Sequence, residues 1–68
     1  MTAPMPGNVL VVHVVAGGAV EAGDPIVTLE AMKMEHVVAS PFAGTVAELH
    51  VRRADQVTRG RLLAIVEP

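Results

Sequence analysis

The segment Pro4-Met5-Pro6-Gly7-Asn8-Val9-Leu10-Val11-Val12-His13-Val14 returns 37 positions later as Pro41-Phe42-Ala43-Gly44-Thr45-Val46-Ala47-Glu48-Leu49-His50-Val51. The match continues without a gap. Val20 falls on Val57, Gly23 on Gly60 and Glu30 on Glu67, while Val12/Leu49, Ile26/Leu63 and Leu29/Val66 stay apolar. Two copies are too few for a solenoid, which needs three or more. In a small β-rich chain they imply a pseudo-twofold pair of interlocked units that share one core. The chain divides accordingly into an extended lead-in at 1–6, repeat halves at 4–30 and 41–67, and an intervening hairpin at 31–40.

Each half reads as two strands. Gly7 and Gly44 open valine-rich runs to Val15 and Arg52, and β-branched residues favour strand over helix. Turns follow at Ala16-Gly17-Gly18-Ala19 and Arg53-Ala54-Asp55-Gln56, then at Gly23-Asp24-Pro25 and Arg59-Gly60-Arg61. Second strands are expected at Ile26 to Leu29 and Leu62 to Val66. Glycine and proline recur too closely for helices. Alternation assigns Leu10, Val12, Val14, Ala47, Leu49 and Val51 to the core, and His13 and His50 to the wetter face. Val9 and Val46 fall on that wetter face, although both copies keep valine. A bulge near residue 10 would reconcile the two facts. Where the first half has Gly17 the second has Ala54, a strained substitution if φ is positive there.

The 68 residues carry a formal charge of −2, no cysteine, and Phe42 as their one aromatic residue. One domain spanning 1–68 is expected, with a core of Val, Leu, Ile, Ala and Met. A domain of this size is marginal, with a net stability of roughly 3–10 kcal/mol. Without cysteine there is neither a disulfide framework nor thiol chemistry. No basic stripe or aromatic platform suits a nucleic acid. The longest apolar run, Val9 to Val20, is too short and too interrupted to span a membrane. The N-terminus lacks the pattern of a secretory signal. A cytoplasmic location is the expectation.

Lys33 is the only lysine, against four arginines at 52, 53, 59 and 61. Unlike arginine, it can lose its proton and attack a carbonyl. It sits in Glu30-Ala31-Met32-Lys33-Met34-Glu35, between the two halves. A tight hairpin tip would normally take Asn-Gly or Asp-Gly, so Met-Lys there breaks a local rule, as functional positions often do. The repeat offset carries position 33 just past the C-terminus. Lys33 and the chain ends should therefore lie at opposite ends of the module.

Residue by residue, Ala31-Met32-Lys33-Met34 resembles the biotin attachment motif of biotin carboxyl carrier domains. The whole chain resembles the biotinyl/lipoyl carrier fold: all-β, a flattened barrel or sandwich of two small antiparallel sheets. Ala3-Pro4-Met5-Pro6-Gly7 resembles the start of this domain at the C-terminal end of multidomain biotin-dependent carboxylases. No long insertion supplies the protruding thumb of some carriers.

The resemblance implies that biotin is joined to Lys33 by a biotin protein ligase. Free lysine has a pKa near 10.4, so the ligase must promote loss of the proton. The arm would then shuttle a carboxyl group between biotin carboxylase and carboxyltransferase sites. Glu30, Ala31, Met32, Met34 and Glu35 would serve ligase or partner recognition, with the methionines as adaptable contacts. Glu67 repeats Glu30 with no lysine nearby, which weakens any special role for Glu30. Met32-Lys33-Met34-Glu35-His36 resembles acyl-CoA carboxylases, with pyruvate or urea as the other acceptors, and the domain would not be catalytic by itself.

Three other readings compete. Lipoyl carriers usually place an aspartate before the lysine and a small residue after it, and here methionines occupy both positions. A non-carrier β-module binding a protein partner would leave Lys33 unmodified. A Schiff-base enzyme would need a desolvated pocket to activate the lysine. His13, His36 and His50 lack the spacing of a zinc motif, so no metal is expected.

Overall fold

The computed structural model describes residues 1–68 throughout. Seven strands follow in order: β1 (Gly7–Val12), β2 (Ala19–Val20), β3 (Pro25–Ala31), β4 (Met34–Ala39), β5 (Gly44–Leu49), β6 (Gln56–Val57) and β7 (Ala64–Glu67). They form two antiparallel sheets, ordered β4-β3-β1-β6 and β2-β5-β7. The fold is therefore all-β, two small sheets packed face to face.

The short strands interlock the halves. β2 belongs to the first half but pairs with β5 of the second, through Val20 and Gly44. β6 returns the exchange by pairing with β1, through Val57 and Gly7. Neither half can bury its apolar face alone, so each supplies the other's edge.

Residues 1–3 do more than lead in. Thr2 bridges Leu62, the counterpart of Ala39 opposite Pro25 in the first sheet. The Ala3 amide donates to the Arg61 carbonyl at 2.8 Å, and the Leu63 amide to Met1 at 2.8 Å. Ala3 is 2% exposed and belongs to the core. These residues stand beside β7 as β4 stands beside β3, and they satisfy backbone groups that burial would otherwise leave unpaired.

A bulge lies where one would reconcile the valine pattern. In β1, Val9 faces Leu29 and Val11 faces Thr28, leaving Leu10 as the extra residue. In β5, Val46 faces Val66 and Glu48 faces Ile65, leaving Ala47 extra. Val9 and Val46 are turned fully inward, with at most 1% exposure. The expected assignment of Leu10 and Ala47 to the core is corrected: Leu10 is half-buried outside the core cluster and Ala47 is exposed. The extra residue inverts the alternation for one step. Val12, Val14 and Leu49 do pack against the core, and Val51 is buried within it.

Each bulge also holds the other half's turn. Val9 donates to Asp55 and accepts from Ala54, both at 2.8 Å. Val46 donates to Gly18 at 2.9 Å and accepts from Gly17 at 2.7 Å. The geometry of the two turns is thus fixed from outside. Gly17 adopts φ 88° and Ala54 adopts φ 75°. A left-handed alanine costs roughly 1–2 kcal/mol, and glycine gives back about 0.4–1 kcal/mol in unfolded-state entropy. Ala54→Gly should therefore stabilise the domain by about 0.5–1 kcal/mol. By the scaling for domains of this size, the thermal midpoint should rise by roughly 2–8 °C.

The core is aliphatic. Ile26, Val27, Leu29, Val46 and Leu63 are wholly inaccessible. Fully burying such a side chain contributes about 1.5–3 kcal/mol. The resulting body is 32 Å long and under 20 Å across. β1 leads from the Lys33 end towards the turn at Gly17-Gly18, which is bonded to Val46. Beyond that turn Val20 meets Gly44, whose backbone lies against Glu67 and Pro68. The Lys33 hairpin and the C-terminal residues occupy the two ends.

Candidate functional site

β3 and β4 pair up to Ala31 and Met34, leaving Met32 and Lys33 as a two-residue turn. Both have left-handed backbones, with φ 53° and φ 64°. This is the twist that joins right-twisted strands most directly, and it normally selects Asn-Gly. Holding two side-chain-bearing residues there costs roughly 1–2 kcal/mol each. The six pairs along β3 and β4 offset that strain.

Met32 is 94% exposed and Met34 63%. Lys33 is exposed between them. Neither methionine fills the core. The one ion pair joins His50 to Glu48 at 3.0 Å, so Lys33 has no carboxylate partner. It presents a free amine at the outermost point of the hairpin.

Glu30 and Glu35 face one another across β3 and β4. Both are exposed. Like charges directly opposite on a sheet are destabilising, by up to about 1 kcal/mol. The pair gives the tip a negative collar that the fold does not need. Glu35→Gln should raise stability by about 0.2–1 kcal/mol in a urea titration. The gain should shrink with added salt, which screens exposed charges.

Ala31, expected among the recognition residues, is 7% exposed. Its methyl faces inward beneath the turn and offers a partner little surface. Its small size matters instead for packing. A Cβ built on Gly7 would lie 2.5 Å from the Glu30 carbonyl oxygen and 3.3 Å from the Ala31 Cβ. β1 thus passes under the tip at a distance only glycine allows.

A shallow groove runs from Met32 and Lys33 past Pro6, Gly7 and Asn8 to Gln56, Val57 and Thr58. The sequence reading did not anticipate these groove residues. A signal for two of them lay in the repeat, where Asn8 and Gln56 replace Thr45 and Ala19 of the other half.

The histidines stay apart. His13 Nε2 meets Thr28 Oγ1 at 2.7 Å and so satisfies a buried hydroxyl. His50 Nε2 meets Glu48 Oε1 at 3.0 Å. His36 stands opposite Leu29 on β4. No three of the His, Asp and Glu side chains gather as a metal site would require, and no helix is long and apolar enough to cross a membrane.

The geometry is thus two interlocked sheets that hold one exposed lysine at a strained hairpin tip. The chain belongs to the biotin-requiring enzyme family, whose model matches residues 1–66. It is 55% identical over 51 residues to human mitochondrial pyruvate carboxylase, covering 75% of this chain and 4% of that protein. To the biotin carboxyl carrier protein of Streptococcus mutans it is 45% identical over 60 residues, covering 88% of this chain and 46% of that one. The structure of a single-chain, multi-domain long-chain acyl-CoA carboxylase superposes with a TM-score of 0.91 at 35% identity, over 100% of this chain and 7% of that one. The chain thus spans less than half the length of each of these proteins. It is a biotin carrier domain of the type found in biotin-dependent carboxylases, and its cofactor is covalently bound biotin.

Proposed function

We propose that Lys33 is the attachment residue and that the domain carries a carboxyl group between two separate active sites. The observation that carries this reading is the tip itself. The sole lysine lies in a left-handed two-residue turn between two exposed methionines, where a free amine is the only reactive group. The residues fit biotin: its carboxyl group, activated as the adenylate by a ligase, would form an amide with the one accessible primary amine and release AMP.

Bound there, biotin supplies a ring nitrogen that accepts and releases a carboxyl group. The chain's own residues do the rest. Lys33 provides the amide nitrogen and a four-carbon stem. Strands β3 and β4 hold the turn firm while the stem stays free. Covalent attachment replaces diffusion by a high effective concentration at both sites. Met32, Met34, Glu30 and Glu35 form the surface on which a biotin protein ligase, a biotin carboxylase and a carboxyltransferase close in turn. Catalysis belongs to those partners, and the domain works with them in the cytoplasm.

Intact mass after incubation with a biotin ligase, ATP and biotin tests the reading. One biotinyl increment is expected. An unmodified chain would sink it, and a lipoyl increment from a lipoate ligase would favour the lipoyl alternative.

For the acceptor, Met32-Lys33-Met34-Glu35-His36 supports an acyl-CoA. The identity to pyruvate carboxylase favours pyruvate as the second reading. Transfer assays of the loaded domain with carboxyltransferases of both kinds would separate them. Faster transfer to pyruvate would overturn the acyl-CoA reading.

A further inference from the structure

The two pseudo-symmetric halves act as controls for one another. A residue that both need serves the fold, and one present only at the lysine end is free to serve something else. Across the first sheet, Glu35 faces Glu30, Glu30 faces Asn8, and Asn8 faces Gln56. Directly opposed residues share a face, so these form one row over four strands, and all are exposed. The equivalent row in the second sheet runs Glu67, Thr45, Ala19. The glutamate recurs, but the two carboxamides do not. The fold accepts threonine and alanine at the equivalent places, so it does not require Asn8 or Gln56. Neither amide is engaged in a side-chain hydrogen bond within the chain.

Asn8 and Gln56 line the same groove as Lys33. A carboxamide offers both donors and an acceptor. The bicyclic ring of biotin presents a cyclic urea, which has two N–H donors and one carbonyl acceptor. We propose that this groove is a resting site for the ring of the biotin carried on Lys33, with Asn8 and Gln56 as hydrogen-bond partners of its urea. The inference rests on Lys33 being the attachment residue. The tether selects the occupant: a ring joined to one wall of a groove is present at an effective concentration on the order of millimolar. Such docking needs little intrinsic affinity, and an open groove lets the ring leave when an active site competes for it.

The test compares nitrogen-15 spectra of the apo domain, the biotinylated domain and a Lys33-acetylated domain, with intact mass confirming each. Acetylation removes the same charge without adding a ring. Docking predicts that the Asn8 and Gln56 side-chain NH2 resonances shift on biotinylation and stay put on acetylation. The variant Asn8→Thr/Gln56→Ala, copied from the other half and so compatible with the fold, should still gain the biotinyl mass and lose ring-dependent shifts in the groove. Shifts confined to residues 31–34 in a fully biotinylated wild type would overturn the resting site while leaving the attachment residue intact. Persistence of the groove shifts in the double variant would overturn the assigned partners. Failure to gain mass at all would overturn the attachment reading, and this inference with it.

Discussion

Lys33→Arg should abolish biotinylation completely, with no residual mass increment under conditions that modify the parent chain to completion. Arginine keeps the positive charge, the long stem and the exposure, so it preserves everything except a primary amine. Its guanidinium stays protonated in proteins and is a poor nucleophile. Because Lys33 is the only lysine, no second side-chain amine can take the label. The N-terminal amine cannot substitute at the tip either: it is held against the Ala64 carbonyl at 2.8 Å, on the second sheet. Stability should change by no more than about 0.5 kcal/mol, as for surface positions generally. A variant that still gained the biotinyl mass would place the attachment elsewhere and remove the basis of the proposed function.

Gly44→Ala should be among the most destabilising single-methyl additions in the chain. A Cβ at residue 44 would stand 2.0 Å from the Glu67 carbonyl oxygen and 2.7 Å from its carbon. Both obstructing atoms are backbone, so no rotamer change can relieve the overlap. β5 and β7 would have to separate where their pairing begins. Overpacking typically costs 1–3 kcal/mol, and a clash against backbone belongs at the upper end, about 3 kcal/mol. Against a total of roughly 3–10 kcal/mol, that is enough to leave a sizeable unfolded fraction. Gly17→Ala is the control. Its Cβ would meet nothing within 4 Å, and only its φ of 88° opposes it. Offset by the roughly 0.4–1 kcal/mol that alanine gains by restricting the unfolded chain, the left-handed strain should leave a net cost of about 0.5–1 kcal/mol. Urea midpoints in the order wild type, Gly17→Ala, Gly44→Ala would support packing as the cause; equal losses for the two variants would refute it.

The repeat made most of the architecture legible. Matching Gly7 to Gly44, Val9 to Val46 and Val20 to Val57 carried the twofold, the strand-rich character and the placing of Lys33 away from the chain's other end. The valines at 9 and 46 departed from strict alternation, and a bulge was the feature that would reconcile them with it. Lys33 stood out because no other side chain in the sequence could do its chemistry.

Other features depended on contacts between residues far apart in sequence. That β2 pairs with β5 and β6 with β1 is a choice of partner, and a two-residue strand carries too little pattern to announce one. The inward turn of Val9 is set by Asp55 and Ala54, 46 and 45 positions away, so alternation counted along β1 misassigned Leu10. Ala31 read as part of a recognition motif, yet the close passage of Gly7 turns it into a spacer. The facing of Glu30 with Glu35 and the row through Asn8 to Gln56 exist only once the strands are in register. The halves and the reactive amine were legible along the chain, because they follow from local chemistry and from the 37-residue repeat. Which strands meet, which residues the bulges invert and which side chains share the groove with Lys33 were decided by tertiary structure, because backbone hydrogen bonds between distant segments set them.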